Sequence, residues 1–397
     1  MNILSDRIVN LTESATLRMA ALARELQQKG IDVINLSLGE PDFQTPQHIK
    51  DAAKRGIDEG YTFYTPVSGY LDLRQAIAAK FKRENGLDYT PDQIVVSTGA
   101  KQSIINVVLC MVNPGDEVIL PAPYWVSYAA MVELAEGKVV ELPTGIANNF
   151  KMTAAQLEAA ITPRTKLIIF SSPSNPTGMV YTKDELHDIA QVVAKHPNLF
   201  VISDEIYEHI NYVGKHESIA QFGFVKDRII TVNGLAKGFA MTGWRLGYIG
   251  APTIIAKACD KMQGQFTSGT CSITQRAAIA ALSESLEPTY AMRNAFHARR
   301  DLILSLFNEI EGIKNYRPDG AFYIFPDMSY FIGKTDGTTT INTIDDLSMY
   351  ILDKAYISSV AGSQFGDDAC IRFSYATSED KIREAGKRLK AALSALH

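Results

Sequence analysis

The chain has four cysteines in 397 residues, Cys110, Cys259, Cys271 and Cys370, and no two share a C-x-x-C spacing. That pattern supports neither a disulfide framework nor a zinc site, and a reduced, cytoplasmic compartment is the expectation. Long apolar runs are missing as well: none approaches the ~18 residues that a membrane-spanning helix needs. The stretch MNILSDRIVNLTESATLRMAALARELQQKG carries charges throughout and does not read as a secretory signal. Basic charge is not in excess either. The net charge is −5 with both signs interspersed, so no field for nucleic acid or an anionic membrane is implied. No G-x-G pair occurs, which removes the usual dinucleotide fingerprint and weakens a reading as a dinucleotide-binding dehydrogenase, and G-x-x-x-x-G-K-[ST] is missing too. No internal repeat or low-complexity tract stands out.

What is present is ordinary globular material, 46% apolar and 21% charged, at a length that favours two domains. The middle of the chain alternates short apolar runs with helical patterns, the mark of an α/β fold with a largely parallel sheet. Four of those runs end on chemistry-bearing side chains. DEVILPAPYW exits at Tyr124 and Trp125, and TKLIIFSSPSNPTG at Asn175-Pro176-Thr177-Gly178. NLFVISDEIY exits at Asp204 and Tyr207, and DRIITVNGLAK at Lys237. Ligands of open α/β sheets bind beyond the carboxyl ends of the strands, so these exits converge on one edge. A fifth segment, IVVSTGAKQSIINVVLCMV, reads as strand, glycine turn and helix from about Lys101. The amides of Gly99, Ala100 and Lys101 then form a helix start suited to a phosphate.

Lys237 is the sharpest feature. Its neighbours are Leu, Ala, Phe and Met, and the nearest acids in sequence are Asp227 and Asp260. A charged amine is costly to bury there unless something uses or pairs it. Such a lysine can form a Schiff base with an aldehyde cofactor. Pyridoxal 5'-phosphate in addition needs a carboxylate at its ring nitrogen, donors for its phenolic oxygen, a flat partner and an anion site, and the strand exits supply each. Taken singly, each residue has a plainer reading. Asp204 could cap a helix beginning near Glu205. Trp125 and Tyr64 could be core aromatics, Asn175–Gly178 a turn, and Arg245 and Arg372 structural ion pairs.

Gly234-Leu235-Ala236-Lys237 with Met241-Thr242-Gly243-Trp244-Arg245-Leu246-Gly247 resembles the cofactor-attachment motif of the class I and II pyridoxal-phosphate aminotransferases. The resemblance runs from NLSLGEPDF to IRFSYATSED, and PAPYWVSY and SDEIYEH look most like the bacterial aspartate aminotransferases of subgroup I-beta. It implies that Lys237 is the Schiff-base lysine and proton shuttle and that Asp204 pairs with the ring nitrogen. Tyr207 and Asn175 would donate to the phenolic oxygen, and Trp125 would stack on the ring. Arg245 would hold the phosphate with the Gly99, Ala100 and Lys101 amides. It further implies that Arg372 grips the substrate α-carboxylate, that Gly39 lies against the substrate, and that Tyr64 reaches the phosphate of a neighbouring subunit in a homodimer with shared sites. Lys101, Ser14 and Thr16 resemble the groups that receive a second carboxylate.

The expected reaction is a ping-pong exchange, aspartate and 2-oxoglutarate giving oxaloacetate and glutamate. The rival is an aminotransferase of the same fold acting on aromatic amino acids, alanine or kynurenine. Two departures stand out. Many relatives carry Ser where Gly234 stands, and several carry Lys where Thr12 stands, the latter used toward larger dicarboxylates such as prephenate. The expected architecture is that of a fold type I transferase. A large domain, 46–284, would hold a mainly parallel mixed sheet with one antiparallel strand near Trp244–Ile249. A small α/β domain would join 1–45 to 285–397. Its parts would be a long helix around YAMRNAFHARRDLILSLFNEIEG, strands near Phe322–Phe325 and Ile371–Tyr375, and a final helix opened by Ser378.

Overall fold

Runs of β-branched and apolar residues make the strands that organise the molecule, seen in a computed structural model that describes residues 3–9 and 11–397. Every residue of Glu117–Ala122 and Ile229–Gly234 is buried, and Thr165–Ser171 nearly so. Continuous burial of this kind belongs to parallel strands covered on both faces. The described residues place them in a seven-stranded sheet. Its order is Ile94–Ser97, Gly247–Gly250, Ile229–Gly234, Phe200–Asp204, Thr165–Ser171, Glu117–Ala122 and Lys138–Pro143. Only Gly247–Gly250 runs against its two neighbours; the other pairings are parallel. The antiparallel strand therefore lies where the sequence placed it, with its start at Gly247. The Lys138–Pro143 edge is largely exposed and carries Lys138 and Glu141, charges that discourage pairing with another chain.

Apolar helix faces close over both sides of the sheet. One layer packs Leu73, Ile77 and Phe81 with Leu186, Ile189 and Val193. The other packs Ile104, Val107 and Val108 with Val132, Ile255 and Cys259. A third core gathers Phe296, Ile303 and Phe307 of the Glu287–Phe307 helix, Ile371 and Phe373 of the Ile371–Ser374 strand, and Leu389 of the Glu379–Leu393 helix. The last helix is capped by Ser378, whose hydroxyl accepts the Lys381 amide. The Ile371–Ser374 strand pairs with Tyr323–Ile324. Among the described residues no helix is long and apolar enough to cross a membrane.

Behind the sheet lies a buried ionic cluster. Lys80, wholly buried, reaches Glu208 in a short contact and donates to the Asn85 side-chain oxygen at 2.8 Å, and Asn85 donates in turn to Glu208 at 2.8 Å. His209 lies 2.9 Å from Glu84, and His216 2.9 Å from Glu205. Burial pushes the Glu208 carboxyl up, but Lys80 and then His209 and His216 outweigh it and hold the group well below the usual range. Because the folded state depresses this acid, its stabilisation is complete above the ordinary glutamate pKa of about 4.3 and fades as pH falls below it. Lys80→Met leaves Glu208 buried without its cation, and urea unfolding at pH 7 should show a loss of about 3–5 kcal/mol. That loss should shrink below pH 4, and Lys80→Met with Glu208→Gln should recover most of it at pH 7.

Candidate active site

Strand direction decides which side chains meet. Phe200–Asp204 and Ile229–Gly234 run the same way and deliver Asp204 and, three residues past its strand, Lys237 to one edge. The chain then turns through Thr242–Trp244 and re-enters the sheet antiparallel, so Arg245, just before Gly247, starts at the edge where Lys237 ended. Ile94–Ser97 opposes the same reversed strand and exits at that edge too. It leads through Gly99 (φ 89°) into the Ala100–Met111 helix. The helix starts one residue earlier than the sequence suggested. Gly247 permits this contact, because a Cβ there would run into the Gly99–Ala100 backbone.

A cleft of about 310 Å³ results, lined among others by Gly39, Ala100, Lys101, Trp125, Tyr128 and Asn175, and by Asp204, Tyr207, Lys237 and Arg245. Lys237 Nζ donates to the Gly39 carbonyl at 2.6 Å. Burial lowers its pKa to about 8, helped by Arg372 and Arg245 and opposed by Glu40 and Asp204. Asp204 is buried at the floor. It accepts the Tyr128 hydroxyl at 2.7 Å and the Ile206 amide at 3.2 Å, yet desolvation still raises its pKa to about 6. No helix follows it, since 205–210 is a turn, so the helix-cap reading of Asp204 does not hold. The Tyr207 hydroxyl lies 2.7 Å from that of Tyr323.

Two arginines flank the lysine. Arg372 is 1% exposed and donates to the Asn175 side-chain oxygen at 2.8 Å and to the Ser37 carbonyl at 2.5 Å, while its Nε finds no partner among the described residues. Its guanidinium lies over the rings of Tyr323 and Phe365, at 4.7 and 5.0 Å. Arg245 is exposed at the rim and donates to the carbonyls of Thr242 at 2.9 Å and Thr98 at 3.4 Å. Among the described residues neither arginine has a carboxylate partner, which sets aside the ion-pair reading of both. Lys101 sits 4.8 Å over the Trp125 ring, and burial and then Arg245 lower its pKa.

Ser14 and Thr16 lie outside the cleft lining, and Tyr64, expected at a neighbouring subunit's phosphate, is 98% exposed on the surface. Ser14 caps the Ala15–Gln28 helix by its backbone and lines a separate cavity with Thr12 and Tyr124. Thr16 lies outside the lining, its hydroxyl oxygen buried without a partner. Gly234 faces Gly247 across the sheet, and a Cβ on it would come within 2.8 Å of the Leu246 carbonyl, so this packing leaves no space for a serine. Two site residues went unforeseen. Tyr128 lies one helical turn beyond Trp125 in PYWVSY, a signal that spacing on the Ser127–Leu134 helix could have supplied. Tyr323 comes from a remote strand and leaves no local signal.

Fold and cleft together define an α/β enzyme built around a desolvated lysine. The aminotransferase class I and II family model matches residues 31–389, and the chain belongs to that family. It is 50% identical over 395 residues to a Petunia hybrida protein named bifunctional aspartate aminotransferase and glutamate/aspartate-prephenate aminotransferase, covering 98% of this chain and 82% of that one. To the aspartate/prephenate aminotransferase of Cereibacter sphaeroides it is 46% identical, covering 100% of both. The solved aspartate aminotransferase of Rhizobium meliloti superposes with a TM-score of 0.97 at 41% identity, covering 100% of each chain.

The electrostatics carry a test. Asp204 holds its proton more tightly folded, at about 6, than an aspartate in water at 3.8. The unliganded fold is therefore penalised as pH rises from about 4 to about 6, with a plateau above that. Asp204→Asn keeps an acceptor for Tyr128 and removes the penalty. Its gain in stability of the unliganded chain should be small at pH 4 and reach roughly 2–3 kcal/mol at pH 7.5.

Proposed function

We propose that the cleft binds pyridoxal 5'-phosphate and that the chain exchanges the amino group of aspartate with 2-oxoglutarate, giving oxaloacetate and glutamate. The observation that carries this reading is an amine brought to about 8, sharing a cleft with a buried carboxylate and near two arginines that have no acid partner among the described residues. The residues present fit that cofactor. Arg372 keeps a buried Nε unpaired, and Arg245 lies against the open start of the Ala100–Met111 helix, so the cleft has unmet demand for anions. Lys237, Asp204, Tyr207, Asn175 and Trp125 would hold the ring, and Arg245 with the Gly99, Ala100 and Lys101 amides the phosphate. When bound, the cofactor supplies an aldehyde for Lys237 and an electron-withdrawing ring beside the substrate Cα.

The chain's own groups do the rest. Lys237 is the proton carrier at the substrate Cα, and a pKa near 8 leaves a useful neutral fraction at neutral pH. Asp204 stabilises positive charge at the cleft floor, and Tyr128 orients it. Arg372 receives the α-carboxylate and Gly39 lies beside the substrate. Lys101, over the Trp125 ring, receives the distal carboxylate, and Ser14 and Thr16, outside the cleft lining of the unliganded chain, are the hydroxyls the family resemblance offers beside it. The division into a 46–284 domain and a domain of 1–45 with 285–397 is supported by two cores whose buried residues all fall within 46–284 and a third drawn mainly from the other segments, joined by Ile206, Tyr207 and Ile210. The exposed Tyr64 suits a homodimer whose partner completes the site.

A donor profile with 2-oxoglutarate tests the reading. Aspartate should lead alanine, phenylalanine and kynurenine. Lys101→Ala should lose roughly 10–100-fold in kcat/KM for aspartate alone, the worth of one charged hydrogen bond. Equal loss for every donor would overturn the role of Lys101, and a lead for phenylalanine would favour the aromatic rival. Lys237→Ala should abolish the near-visible band of the reconstituted protein and cost at least about 10²–10⁴-fold in rate.

A further inference from the structure

The hydroxyls of Tyr207 and Tyr323 are 2.7 Å apart, both buried, and neither has another hydrogen-bond partner among the described residues. One phenol must donate and the other accept. Tyr207 lines the cleft and Tyr323 does not, so only Tyr207 can turn its own hydrogen toward a ligand. Among the described residues the Tyr323 hydroxyl has a single hydrogen-bond acceptor, the Tyr207 oxygen. Its position is over-determined: its ring lies under the Arg372 guanidinium, and its oxygen fills the space a Cβ on Gly39 would need. Its strand, Tyr323–Ile324, is paired to the strand that carries Arg372.

We propose that Tyr323 is a positioning residue that donates to Tyr207 and thereby aims the Tyr207 hydrogen at an anionic oxygen in the cleft. The inference rests on the cofactor reading above, with the phenolic oxygen as that acceptor. Relative acidity supports the direction of donation. Burial raises both phenols, Tyr207 far above its ordinary value and Tyr323 less; Arg372 lowers both and is the largest opposing influence on Tyr323. The more acidic phenol is the better donor. Chains of hydroxyls polarise one another, so the outer bond strengthens the inner one.

The test is the pH midpoint of the near-visible absorbance of the protein reconstituted with pyridoxal 5'-phosphate. A weaker donor at the phenolic oxygen raises that midpoint, since the anionic oxygen is less stabilised. Tyr323→Phe keeps the ring over Arg372 and should raise the midpoint by roughly 0.5–1 pH unit, the span of one ordinary hydrogen bond. Tyr207→Phe should raise it further, and the double variant should match Tyr207→Phe alone. An unchanged midpoint in Tyr323→Phe, or additive shifts in the double variant, would overturn the proposal while leaving the cofactor reading intact. No band in the unaltered protein would overturn both. If Tyr323→Phe does not fold, Gly39→Ala displaces the same hydroxyl and should move the midpoint upward, and no movement counts against the proposal.

Discussion

One reversed strand sets the geometry on which the cleft depends. Because Gly247–Gly250 runs against Ile229–Gly234 and Ile94–Ser97, the chain that leaves one strand at Lys237 must come back to the same edge to begin the next. Eight residues suffice for that return, and Arg245 is at its end. A parallel crossover would need a dozen residues or more and would start the next strand at the far edge. The same reversal presents the Gly99 turn to the cleft. Small residues at Gly234 and Gly247 let strand and helix start approach that closely, which explains why this chain has no side chain to spare at position 234.

Charge is arranged in the cleft at a cost to the fold. Lys237 is desolvated and flanked by like charges, and Asp204 is desolvated with no ion-pair partner among the described residues and only a weak pull from Lys237, so the pKa of each is shifted toward the neutral form. Neither state helps an unliganded protein. Such strain is expected where a group must act as a base or stay ready to pair with a ligand. The compensation lies a few ångströms behind. The turn from Asp204 to His209 has two faces: Asp204 and Tyr207 point to the cleft, while Glu205, Glu208 and His209 enter the ionic cluster around Lys80 and His216. The turn has little regular hydrogen bonding of its own, so the buried ion pairs hold what a helix would otherwise hold.

The aromatic side chains serve the same end by packing rather than charge. Trp125 stands edge-on to Tyr128 at 5.4 Å, and Tyr207 edge-on to Phe322 and Tyr323 at 5.5 and 5.8 Å. Each ring thereby loses freedom before any ligand arrives, and preorganised donors need no rearrangement during reaction.

Much of this was legible along the chain. Apolar runs ending at Trp125, Asn175, Asp204 and Lys237 announced strands and the edge they share, because period and punctuation are local properties of sequence. The motif from Gly234 to Gly247 marked the family for the same reason. Tertiary structure alone decided the rest. It paired Tyr323 with Tyr207, put Asn175 on Arg372 and gave Lys80 to Glu208, contacts between residues 116, 197 and 128 positions apart. It also put Ser14 on a neighbouring cavity, left Thr16 outside the cleft lining and left Tyr64 on the surface. Local pattern determines which elements form and what chemistry they carry. Which side chains then share a buried volume, and so shift one another's protons, depends on packing between distant segments, and no spacing in the sequence records that.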